Sequence, residues 1–194
     1  MAPRYIISPS SYYINQGEIM CNLYEINPDI SEADDFPNVA TSLPVYPTPH
    51  LNVIVVTQDC DLKQDRDARN TAEPDESKLL THIQFCELFL ETEIRSSRGL
   101  TSQPWKRVNQ NQDERFHHLY EETIDDGAEH VPDLYADFKR IFSLPVEYTY
   151  QLLEKGGVTR KVLLQDPYLR DFVQRLHSFL SRVPLPEITV TELE

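Results

Sequence analysis

The chain has 194 residues, 40% hydrophobic and 26% charged, enough to bury a core without a disulfide or a metal to staple it. Asp and Glu outnumber Lys and Arg by 32 to 18, for a net charge of −14, the wrong sign for a general nucleic-acid binder. Five glycines against fourteen prolines argue against the glycine-rich loops that cradle phosphates. The three cysteines, Cys21, Cys60 and Cys86, form no CxxC pair, so a zinc site of the usual spacing is not expected. An odd number of cysteines suits a reducing, cytoplasmic setting. The N-terminal segment lacks a long apolar leader, and the longest apolar run, Val53–Val56, is far too short to span a membrane.

In chain order, residues 1–16 read as an irregular arm. From Gly17, alternation of Ile19, Cys21 and Leu23 with polar neighbours predicts a strand. Residues 27–50 hold five prolines and the acids Asp29, Glu32, Asp34 and Asp35, and read as a long Pro-rich acidic loop. The β-branched run Leu51–Thr57 predicts a strand buried on both faces. It ends in Gln58-Asp59-Cys60-Asp61-Leu62, polar residues at the rim of the core. The charged residues 63–78 read as a loop, and Leu79–Leu90 as a strand running into a helix.

Residues 94–112 bring a change of composition: Arg95, Arg98, Lys106 and Arg107 with no acid, and the single tryptophan, Trp105. Arg115–Tyr120 and Leu134–Phe142 predict strands, joined by an acidic link with a turn at Asp126-Gly127. Pro145 opens a helix that Gly156-Gly157 stops. Val158–Leu164 predicts a strand. A last helix is expected over 166–183, with Asp166 as its cap and an apolar stripe through Phe172, Leu176 and Leu180. That stripe is core, a partner face or a homodimer face. Residues 187–194 form a tail.

Gln58, Asp59, Cys60 and Asp61 invite two readings. Cys60 could be a nucleophile with the carboxylates beside it, which requires a histidine to draw off its proton. His117 and His118 are candidates, but neighbours on a strand face opposite ways, so one of them at most could serve. Alternatively, the acids close the strand end and Cys60 is a small apolar residue. A calcium loop starting at Asp59 fails: it would need glycine and glutamate where Gln64 and Asn70 stand. No metal and no cofactor is expected. Arg95, Trp105 and Arg107 could hold a phosphate backbone or a partner. Arg115, His117 and Arg140 could line one pocket or face solvent.

Gly17-Glu18-Ile19 and Val53–Thr57 resemble the opening strand and the buried strand of the MazF/PemK toxin family, and Leu134–Phe142 resembles its late strand. VVTQDCDL, RFHHLYEE and DFKRIF together resemble a divergent prokaryotic group with a QxCDL segment, found near defence genes. The resemblance implies one β-rich α+β domain over 1–194: a small SH3-like barrel with helices appended at its C-terminal side. It also implies an endoribonuclease site with an arginine before the buried strand. Here His50 stands there, in PTPHLNV, and no arginine lies between Arg4 and Arg66. A 2′-OH attack on RNA needs both a base and a cation. The resulting expectation is a degenerate, non-catalytic module acting through a protein partner, such as a transcription factor or a defence-locus protein, with Gln58, Asp59, Asp61, Arg95, Trp105 and Arg107 as partner-binding residues. The alternative is a rearranged endoribonuclease using His50, Asp59, Cys60, Asp61, Arg115 and His117.

Overall fold

A computed structural model of the chain describes residues 3–9, 13–28, 45–124, 127 and 129–182. In order these form β1 (Tyr5–Ile7), β2 (Glu18–Pro28), β3 (Val45–Val55), α1 (Asp59–Arg69), a 3-10 turn (Glu76–Lys78), β4 (His82–Phe89), α2 (Glu91–Arg98), α3 (Ser102–Asn109), β5 (Phe116–Leu119), β6 (Glu122–Ile124), β7 (Glu129–Val131), β8 (Leu134–Pro145), α4 (Val146–Glu154), β9 (Thr159–Leu164) and α5 (Tyr168–Leu180). A seven-stranded antiparallel sheet runs β1-β9-β2-β3-β4-β8-β5, and β6 pairs with β7 separately.

The α+β class expected from the sequence is present, but the sheet does not close into a barrel. Its edges, β1 and β5, approach each other through single bonds and no ladder joins them. The Tyr5 hydroxyl donates to Tyr120 O (2.9 Å), and the Arg4 N–H donates to Glu122 Oε2 (2.8 Å). Both edge strands are too short to carry the staggered ladder that closure requires. Nor are the helices confined to the C-terminal side, since α1, α2 and α3 interrupt the strands.

The central strands are buried on both faces, as the β-branched run requires. Val53, Ile54 and Val55 are all 0% exposed. Ile54 packs with Ile19, Cys86, Ala136 and Val162 against Phe172 and Leu176 of α5. Val53 and Val55 point the other way, to Met20, Leu23 and Phe85, where Leu62 of α1 and Tyr148 and Tyr150 of α4 cover them. A third cluster joins Ile94 of α2 and Val108 of α3 to Phe116 and Tyr135. Gly17 precedes β2 at φ +80°, a backbone conformation that favours glycine, and a Cβ there would lie 2.6 Å from Leu169 Cδ1 and push that side chain aside.

Several local expectations change. Tyr5–Ile7, in the supposed arm, is an edge strand on β9. Residues 27–28 and 45–50 extend β2 and β3 as a two-stranded ribbon instead of belonging to a loop; prolines 47 and 49 are compatible with it because a ladder bond at every residue is not required of an outlying ribbon. The charged run from Asp59 is helix α1, since Leu62, Asp65 and Ala68 share one inward side and the Asp65 carboxylate is met there by Arg69 Nε (2.9 Å) and the Leu80 N–H (2.7 Å). The last helix spans Tyr168–Leu180, and Asp166 pairs with Arg170 (2.8 Å) instead of capping it. The acids 29–35, Asp126 and the tail from Glu187 lie outside the described residues.

Candidate functional site

β3 delivers Gln58 and the first turn of α1 to the mouth of a groove of about 630 Å³. Gln58 and Asp61 line it from one side, with Thr81 and His82 at the start of β4. Lys139 and Ser143 come from β8, and His177 from α5. The floor is apolar, built by Val56, Phe138 and Leu176. Thr57, also in the wall, is anchored: its hydroxyl accepts the Gln84 N–H at 2.7 Å.

A bulge in β8 shapes this groove. Cys86 pairs with Ile141 and Leu88 with Ala136, so residues 137–140 of β8 stand against Glu87 alone. Bulges of this kind re-aim side chains. Here Asp137 turns inward and is 2% exposed, while Lys139 and Arg140 turn out.

The residues singled out in the sequence do not gather in one place. Asp59 is engaged structurally, its Oδ1 accepting the Gln16 N–H at 2.7 Å. Cys60 is exposed, and its thiol contacts Gln58 Oε1 (3.4 Å) and Asp61 Oδ1 (3.5 Å). Among the described residues no histidine lies within hydrogen-bond distance of that thiol, so the Cys–His pairing of a catalytic nucleophile is not formed there. Buried Cys86 donates to Asp137 O (3.4 Å), and burial pushes its thiol pKa up, which leaves it inert.

His50 is buried, with Nδ1 at 2.6 Å from Glu87 Oε1 and Nε2 at 3.3 Å from Glu25 Oε2, and its ring stacks on Phe142 at 4.0 Å. Both ring nitrogens are occupied, so neither is open to a substrate proton. Arg140 joins the same network through Glu87 (3.1 Å). Arg115 is spent on Asp137 in a two-pronged contact, Nε to Oδ1 at 2.6 Å, and that bond raises the guanidinium pKa further. His117 is 3% exposed and packs edge-on against Phe172 at 5.3 Å. Burial first, then the nearby Arg175 and His118, push its pKa down to about 3, so it stays neutral. His118 points elsewhere, to Asn109 O (2.9 Å) and Asp133 Oδ1 (2.7 Å).

Of the partner-binding candidates, Gln58 and Asp61 line the groove, and Arg107 lines a neighbouring cleft. Trp105 turns inward against Tyr135 at 5.0 Å, with Arg95 over its ring at 5.6 Å and paired to Glu91 at 2.9 Å. Trp105 therefore packs against the third cluster, and the exposed Arg95 lies over its ring. Sequence reasoning missed His82, Lys139, Ser143 and His177. No local signal marks them, because they meet from β4, β8 and α5.

Among the described residues no three His, Cys, Asp or Glu side chains gather as a metal site. No described helix is long and apolar enough to cross a membrane. No protein-family model matches the chain, and no curated protein matches it.

Proposed function

We propose that the chain is a non-catalytic binding module, a divergent MazF/PemK-like protein of a prokaryotic stress or defence system, which acts in the cytoplasm through a protein partner. The observation that carries this reading is the contrast at the rim motif. Gln58 and Asp61 open onto a groove of about 630 Å³, while His50, Arg115 and His117 are each consumed by the fold. A catalytic site needs its groups to converge on a reacting atom, and these are held apart, His50 by Glu25 and Glu87, Arg115 by Asp137 and His117 in the core. A groove with an apolar floor and polar rim suits a peptide segment.

A second reading, an endoribonuclease with a rearranged site, is favoured by one feature. His82 and His177 line the same groove as Lys139, and two histidines with a cation are the groups that 2′-OH attack on a phosphodiester uses.

One experiment weighs both. The purified chain is incubated with a long mixed-sequence RNA beside a His82→Ala/His177→Ala variant, and a photo-crosslinking amino acid is placed at Gln58 or, as a control, at Glu73 in cells. Intact RNA and a protein adduct from position 58 but not 73 are expected. RNA cleavage that the double variant loses overturns the binding reading and establishes the second.

A further inference from the structure

Lys139 belongs to two cavities at once. Besides the groove, it lines a cleft of about 550 Å³ between α3 and the β8 bulge, together with Arg107, Arg115 and Arg182 and the carboxylates of Asp113 and Glu114. Four cations and two carboxylates line this cleft, a local excess of positive charge in a chain of net charge −14. Two of the cations are matched: Arg115 by Asp137, and Arg182 by Glu114 at 3.3 Å. The other two are not. Lys139 makes no ion pair or side-chain hydrogen bond among the described residues, and Arg107 reaches no polar side chain, its contact being Gln112 O at 3.4 Å.

The bulge holds Lys139 in this position. Its backbone N–H donates to Asp137 Oδ1 at 3.1 Å, and the same carboxylate is clamped by Arg115. Arg182 is likewise seated, its guanidinium 3.7 Å from the Phe179 ring centre and its Nε–H on Phe179 O at 2.9 Å. The backbone at Lys139 and the guanidinium groups of Arg115 and Arg182 are therefore held at the cleft, and Lys139 and Arg107 extend their charges into solvent beside them.

Three observations select the anion. The residues lining the cleft include no aromatic, and Trp105 is turned into the third cluster, so the stacking platform of single-strand nucleic-acid binders is missing there. Asp113 and Glu114 stand among the cations, which disfavours a dense polyphosphate and suits carboxylates spaced along a peptide. The volume exceeds that of a lone inorganic ion and fits several side chains. We propose that this cleft is the docking site for an acidic segment of the protein partner, with Lys139 and Arg107 meeting Asp or Glu carboxylates. This inference rests on the binding reading above and names the chemistry of the partner.

The test titrates the full chain with fluorescein-labelled hexaglutamate by anisotropy, with hexalysine and hexauridine as parallel probes. Hexaglutamate is expected to bind, more weakly as salt rises. Arg107→Gln/Lys139→Gln is expected to lose about tenfold in affinity with an unchanged melting temperature. Absent hexaglutamate binding, equal affinity in the double variant, or tighter binding of hexauridine overturns the proposal. The Gln58 crosslink keeps the two conclusions apart. An adduct without hexaglutamate binding removes the acidic-segment proposal and leaves the binding reading standing. RNA cleavage lost in the histidine variant removes the binding reading itself.

Discussion

Where β2 pairs with β9, Arg160 Nη2 donates to Glu18 Oε2 at 2.9 Å and the Glu18 carboxylate is wholly buried; in the cleft between α3 and the β8 bulge, Arg107 and Lys139 face solvent, and among the described residues no carboxylate pairs with either. The same residue chemistry serves two ends. A desolvated ion pair is committed, because removing either partner strands a charge away from water. A solvated cation beside a matched pair is uncommitted, and its charge can be offered to another molecule. Arg115 marks the boundary: it faces the cleft, yet its charge is already answered by Asp137.

The comparison is most sharply tested at Glu18. Glu18→Ala leaves Arg160 without that carboxylate and is expected to cost about 3–5 kcal/mol, read by chemical denaturation. Next comes His117, whose interior position makes it a neutral group. The unfolded chain takes up a proton near the ordinary pKa of 6.5, and folded His117 refuses one until about pH 3. Within that window the unfolded state binds more protons, so stability falls as pH falls, by about 1.4 kcal/mol per pH unit from this group. His117→Phe should remove that share of the slope, since the ring already packs against Phe138 and Phe172. A slope identical in the variant would place the acid sensitivity elsewhere. The smallest effects belong to the exposed groups. Lys139→Gln and Cys60→Ala are each expected to change stability by less than about 0.5 kcal/mol, and a larger drop in a thermal melt for Lys139→Gln would mean that it is committed after all.

Legibility in the sequence followed how local the cause was. Leu51–Thr57 read as a doubly buried strand because β-branched residues at consecutive positions leave no polar face to turn to water; Val53–Val55 are wholly buried, while Leu51 is 60% exposed and the strand ends at Val55. The α4 helix was bounded by Pro145 and Gly156, and its span agrees within two residues. Helix α1 was hidden. Its charges mask a narrow inward side, and the burial of Asp65 depends on Arg69 and on the Leu80 N–H, fifteen residues away in the chain. The basic stretch around Trp105 read as one segment and is two helices, folded so that Trp105 reaches Tyr135.

For the candidate site, Gln58 and Asp61 were visible because polar residues after a buried strand sit at the rim of a core, and both line the groove. His50 and His117 were visible as chemistry but not as environments. Two carboxylates from β2 and β4 close on one, and α5 covers the other. Composition and periodicity determined by themselves the acidic surface, the buried central strands and the apolar stripe of the last helix, since each depends on neighbours within a turn or a strand. The tertiary structure alone decided that the sheet stays open, that a bulge turns Lys139 outward, and that His82, Lys139 and His177 share one groove. Those outcomes depend on strand pairing between distant segments, which sets burial and hydrogen-bond partners without leaving a local pattern.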